Sequence, residues 1–224
     1  MSNKKGIYFR VVRKIGKIFI KRKMLVDESV FKKRGVLIGH HQNFYGPIGA
    51  MLYMPDSVDT WVIDHLFNFK DCFDKYYNYT FKNKPRIIAF IPSVICGLLI
   101  PPLLKSANAI PVYRASREVI KTLDKSILSL EKNRQVLIFP DLDYTNTTGQ
   151  MGEIYTGFLN INKKYHKVYN KHIEFIPIIF DKKTDLILSN EKITFSDDIS
   201  FSEDKKRVEN EIVKLINQKV YNQL

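Results

Sequence analysis

"VLIFPDLDY", residues 136–144, passes from four apolar residues through a proline to two aspartates and a tyrosine. A wholly apolar run of this length has no polar side to turn to water, which is the pattern of a strand buried on both faces of a parallel sheet. "FIPIIF" (175–180) repeats the pattern, "VLI" (36–38) is a shorter version, and "NAIPVYR" (108–114) reads as a short strand ending in a loop arginine. "LIL" and "KITF", within 186–195, read as edge or hairpin strands.

Helical periods separate these runs. Over 116–132 Ile120, Leu123, Ile127 and Leu130 share one face behind a candidate N-cap, Ser116, and over 203–221 Val208, Ile212, Leu215 and Ile216 do the same. Residues 48–84 are mixed and aromatic-rich and read as helix and loop. Strands alternating with helices predict an α/β fold, a mostly parallel central sheet flanked by helices, with its working loops at the carboxyl ends of the strands. The 224 residues suit one such domain, and 45% hydrophobic residues suffice to build its core.

The formal charge of +13 is concentrated at one end. Residues 1–34 hold twelve Lys or Arg against two acids, and Tyr8, Val11, Val12, Ile15, Ile18 and Phe19 recur there at helical intervals. This predicts a basic amphipathic helix to about residue 24, within a membrane-associating segment 1–34 that precedes the domain at 35–224. Such a helix suits the headgroup boundary of an anionic membrane, where apolar burial adds to Coulomb attraction. Nucleic acid is not expected, because charge is its sole support and no recognition motif accompanies it.

Lysines interrupt every apolar run in the first 30 residues, so no signal peptide is expected. Cys72 and Cys96 form neither a disulfide framework nor a metal-ligand spacing, which suits a reducing, cytoplasmic setting. "IIAFIPSVICGLLIPPLL" (87–104) runs eighteen residues without a charge, the lower edge of a membrane span. Pro92, Pro101 and Pro102 count against a regular spanning helix, and a buried or interfacial helix hairpin is expected instead.

Three strand ends carry polar residues out of apolar runs: His40 and His41 after "VLIG", Arg114 after "IPVY", and Asp141 and Asp143 after "VLIFP". Loops at one edge of a sheet can bring a base, a cation and a carboxylate together. "HHQNFYG" (40–46), "AIPVYR" (109–114), "FPDLDY" (139–144) and "FIPIIF" (175–180) stand in the order and spacing of four motifs, with "GEIYTGF" (152–158) between the last two. On these stretches, across roughly 33–195, the chain resembles the 1-acylglycerol-3-phosphate acyltransferase family. That family's first motif is Asn-His-x-x-x-x-Asp and its third is Phe-Pro-Glu-Gly-Thr-Arg. Here Gly46 stands at the aspartate, and Asp141, Leu142, Asp143 and Tyr144 replace the Glu-Gly-Thr-Arg run.

The resemblance implies acyl transfer from a thioester, acyl-CoA or acyl-carrier protein, to the hydroxyl of a lysophospholipid or glycerol phosphate, at the cytoplasmic face of the membrane. It implies His41 as general base, Arg114 on the acceptor phosphate, and Asp141, Tyr144 and Asn43 around the acceptor, with no metal or redox cofactor. His40 takes the asparagine's place, and His65, His166 and His172 read as surface or packing residues. The gap at Gly46 leaves two expectations. Either another carboxylate serves the histidine, Asp143 before Glu153 or Asp64, or the chain is a catalytically inactive relative that binds phospholipid.

Overall fold

The computed structural model describes residues 4–113 and 118–218. Seven strands form one sheet: β1 (Lys23–Met24), β2 (Val36–Gly39), β3 (Val58–Ile63), β4 (Ile110–Val112), β5 (Gln135–Ile138), β6 (Phe175–Asp181) and β7 (Leu186–Ser189). Their spatial order is β1-β7-β6-β2-β5-β3-β4. β6, β2, β5, β3 and β4 are mutually parallel, and only β7 pairs antiparallel, through its hairpin with β6. The expected α/β architecture is present, and β2 and β5, which carry the polar strand ends, lie side by side at its centre with Val36 opposite Val136.

Alternation along the strands divides the core. Val36, Ile38, Val136, Ile138 and Phe175 face α5 (Val119–Glu131), α6 (Asn160–Tyr169) and α7 (Phe201–Asn217). Leu37, Leu137, Ile176 and Ile178 face the opposite layer, which contains α2 (Tyr45–Tyr53). Val208, Ile212, Leu215 and Ile216 of α7 are buried as their spacing predicts.

Several elements differ from expectation. The first helix, α1 (Ile7–Phe19), stops short of residue 24, and residues 23–24 instead form edge strand β1 beside β7. Segment 48–84 contributes α2, α3 (Phe69–Lys75) and, unexpectedly, β3 near the middle of the sheet. In place of a hairpin there is one continuous helix, α4 (Arg86–Ser106), with all three prolines inside it. "KITF" makes only an isolated bridge, Phe175 to Ile193. Ser116 and residues 219–224 lie outside the described residues.

The burial of α4 has a simple pattern. Ala89, Ser93, Gly97 and Pro101 recur every four residues as a strip of small side chains turned inward, and a β-carbon on Gly97 would approach the Phe69 ring to 2.9 Å. The large residues Ile87, Ile88, Phe90, Ile91, Ile95, Leu98 and Leu99 are exposed. α1 lies against α4 through Gly6 N–H to the Ser106 carbonyl (2.7 Å) and Phe9 N–H to Ser106 Oγ (3.0 Å). It buries Phe9 and leaves Ile7, Val11, Ile15 and Ile18 exposed as one stripe, so the expected apolar face is split, part inward and part to the outside.

Candidate active site

Gly39 ends β2 between two rings, where a β-carbon would come within 2.7 Å of Phe139 and 3.0 Å of Phe180. The chain then emerges at the carboxyl edge of the sheet. Continued alternation sends His40 toward the α7 side and His41 toward the α2 side. His40 is buried, and with Ile216 and Asn217 of α7 it lines a cavity of about 440 Å³. His41 is half-buried, its ring edge-on to Phe139 (centroids 5.7 Å) and Tyr144 (5.9 Å).

The carboxylate beside this pair comes from the loop after β5. Asp141 Oδ1 is hydrogen-bonded to His40 Nδ1, and Oδ2 accepts the His41 backbone N–H at 2.9 Å. Asp141 is buried and its loop is pinned: it bridges to Ile154, Leu142 N–H donates to the Glu153 carbonyl (3.1 Å), and Tyr155 N–H donates to the Pro140 carbonyl (2.7 Å). A carboxylate on Nδ1 holds the proton there and leaves Nε2 as the acceptor of the ring. His40 Nε2 is buried and has no hydrogen-bond partner among the described residues, which leaves its lone pair unpaired beside the cavity that His40 lines.

The turn after the histidines is tight. Gln42 and Asn43 both adopt positive φ, 46° and 57°, Asn43 N–H donates to the Tyr144 carbonyl (2.9 Å), and Gly46 N–H donates to the His41 carbonyl (3.0 Å). Gly46 is therefore enclosed. A β-carbon there would run into the His40 carbonyl oxygen and lie 2.9 Å from Phe139 and 3.0 Å from the His41 carbonyl. An aspartate side chain has no room at this position in this backbone, whereas the Asp141 carboxylate, in the loop after β5, lies against the His40 ring.

Asp143, expected to serve His41, is exposed and accepts from Thr145 N–H (3.0 Å) and Thr145 Oγ1 (2.6 Å). No hydrogen bond joins it to His41 among the described residues, and its own loop holds its pKa below the usual carboxylate range. Glu153 contributes its backbone, and Asp64 lies beyond β3 beside His65. Tyr144 and Asn43 flank His41 in the same loop cluster, and Arg114 lies outside the described residues. His41 has its pKa lowered, chiefly by burial, against the upward pull of Asp141. The pairing of His40 was missed from sequence because it depends on the β2–β5 register. Gln42, whose amide donates to the Phe180 carbonyl (2.9 Å), and Lys182 also line the cavity without having been anticipated.

No family model and no curated protein matches this chain in sequence. Among solved structures it is similar to the 1-acyl-sn-glycerophosphate (LPA) acyltransferase PlsC from Thermotoga maritima. The TM-score is 0.52 at 12% identity, over 92% of this chain and 77% of that one. The shared architecture is thus that of the PlsC fold, a seven-stranded, mostly parallel sheet flanked by helices.

Proposed function

We propose that the protein is an O-acyltransferase that moves a fatty acyl group from a thioester to the hydroxyl of a lysophospholipid or glycerol phosphate. The observation that carries this reading is the buried His40–Asp141 pair, its Nε2 unpartnered among the described residues, in a histidine that lines a cavity at the carboxyl edge of a PlsC-like sheet. His40 Nε2 takes the proton of the acceptor hydroxyl as its oxygen attacks the thioester carbonyl carbon. The imidazolium formed is stabilised by Asp141. Collapse of the tetrahedral intermediate re-forms the carbonyl and breaks the carbon–sulfur bond, and the departing thiolate recovers the proton from His40. Acyl-CoA or acyl-carrier protein is the co-substrate, and this chemistry draws on no metal or redox cofactor. Lys182 and Lys183, which line the cavity, add positive charge for a phosphate-bearing substrate, alongside the role assigned to Arg114. His41, with its lowered pKa and half-exposed ring, is the alternative base.

The acceptor is proposed to arrive from an anionic membrane at its cytoplasmic face. α4 is 21 residues long, about 31 Å, and apolar all round, yet only its small-residue strip is covered. Beside it the stripe Ile7, Val11, Ile15 and Ile18 is exposed, with Arg10, Lys14 and Lys17 on the same helix. Apolar area of this extent marks an interaction surface. β3 and β4, before and after α4 in sequence, pair at Trp61–Ile110 in one sheet, so the helix lies against the domain and docks within the interface rather than crossing it.

The rewritten third motif favours a second reading, a catalytically inactive phospholipid-binding relative. Thiol release from acyl-CoA and acyl-carrier protein thioesters, measured with a panel of lysophospholipids and glycerol phosphate, separates the two. Acceptor-dependent release supports the enzyme; binding to anionic vesicles with no release on any acceptor supports the inactive relative.

A further inference from the structure

On the opposite edge of the sheet from His40, three side chains from separate segments converge. His166 belongs to the last turn of α6, His172 precedes β6, and Asp197 lies in the stretch leading to α7. His172 Nε2 is 3.0 Å and His166 Nε2 3.5 Å from Asp197 Oδ1, and one ligating atom of each residue lies within 4.8 Å of the other two. A tetrahedral zinc site with bonds of about 2.0–2.1 Å has ligand-to-ligand edges of roughly 3.3 Å. The two His–Asp197 edges, 3.0 and 3.5 Å, fall on either side of that value.

The imidazoles are also held in place. They stack on each other with centroids 4.6 Å apart and planes 19° apart, and the buried Phe195 ring lies 6.1 Å from His172. Buried Asn162 contacts His172 Nδ1 through its side-chain amide, Nδ2 at 3.0 Å and Oδ1 at 3.3 Å, while Oδ1 also accepts the Ile173 N–H at 3.0 Å. Ligation through His172 Nε2 requires the proton on Nδ1, which then donates to Asn162 Oδ1, the kind of outer contact that orients a metal-ligating histidine. The turn between the histidines is set by Asn170, in the left-handed conformation at φ 52°. Expected from sequence only as surface or packing residues, His166 and His172 both place Nε2 near one carboxylate oxygen, and shared ligation requires the more exposed His166 ring to turn out of the stack so that both ring planes meet at the ion.

We infer that His166, His172 and Asp197 form a binding site for a divalent transition-metal ion of the zinc type, with a fourth position open to water. Two imidazole nitrogens and a carboxylate are the donor set such ions take, whereas calcium and magnesium take oxygen. The ion ties α6, the entry to β6 and the approach to α7 together, away from the proposed acyl-transfer site, and its role is structural. Its test does not depend on that activity.

The full chain, freed of metal by chelator dialysis, is titrated with Zn²⁺ by calorimetry and with Co²⁺ by visible absorption. One equivalent binds, with the strong visible bands of four-coordinate Co²⁺, and Tm rises by roughly 5–10 °C at a hundredfold excess of Zn²⁺ over Kd. His172→Ala and the conservative Asp197→Asn each weaken binding by at least about tenfold, while circular dichroism shows the fold retained in both. Absence of stoichiometric Zn²⁺ binding overturns the assignment. So does binding of unchanged affinity in both His166→Ala and His172→Ala, since the ion is then held elsewhere.

Discussion

His40 and His41 are chain neighbours with different partners, and each carries its own consequence. Asp141 touches both, through the His40 ring and the His41 backbone. Asp141→Asn is expected to lower thiol release by a hundredfold or more, toward the roughly ten-thousandfold loss on neutralising the triad carboxylate of serine proteases, while Asp143→Ala stays near wild type. Steady-state rates on both variants decide this, and a larger loss in Asp143→Ala contradicts it. His41 bears on stability. Its folded-state pKa lies below the ordinary 6.5, chiefly through burial, so the unfolded chain binds its proton first as pH falls. Stability is full above pH 6.5 and declines as pH drops through the folded value. Tm measured from pH 7.5 to 5 shows a fall that His41→Gln flattens; an equal slope in that variant rejects the assignment. Gly46→Asp is expected to cost roughly 1–3 kcal/mol in denaturant unfolding, because the carbonyls of His40 and His41 occupy the space.

At the scale of elements, α4 and β3 show what the sequence could and could not convey. The runs that became β2, β5 and β6 were legible because they are apolar throughout and buried on both faces. β3 was not, because Asp59 interrupts its apolar pattern, and that aspartate is tolerated only by partners remote in sequence. In α4 the prolines suggested a break, yet the helix continues through them, its inward strip of small residues seated against α3. The same dependence on register hid the site: side-by-side placement of β2 and β5 brings residue 141 to residues 40 and 41, and no local pattern encodes that pairing. The exposed side of α4 makes its own prediction. Ile91→Glu with Leu98→Glu should reduce sedimentation with anionic vesicles severalfold while leaving Tm within a degree or two, since neither residue is buried. Undiminished sedimentation removes α4 from the proposed docking face.

Across the whole molecule, the N-terminal segment is built into the domain at two points. β1 extends the sheet at one edge, and Lys5 reaches beneath the other side to donate to Asp59 Oδ1 at 2.7 Å and the Val58 carbonyl at 2.6 Å. Arg134 donates to both oxygens of Asp59 at 2.7 Å, and Ser129 Oγ donates to Oδ2 at 2.7 Å. Burial lowers the Lys5 pKa, and these contacts hold that of Asp59 below its ordinary value despite burial. Asp59→Ala leaves two buried cations without their shared carboxylate and is expected to destabilise by about 3–5 kcal/mol in urea unfolding, a loss below 1 kcal/mol contradicting the clamp. Lys5 Nζ also donates to the Ala107 carbonyl at the end of α4 (2.5 Å), which ties the start of α1 to α4 and presents the apolar stripes of both helices together.

Acyl transfer is proposed to run on the buried His40–Asp141 pair at the carboxyl edge of this sheet. It is tested most directly by acceptor-dependent thiol release measured side by side for the wild type, His40→Ala and His41→Ala, each verified as folded. Release is expected from the wild type, with its loss in His40→Ala to the level without acceptor and substantial retention in His41→Ala. Undiminished release in His40→Ala would contradict it.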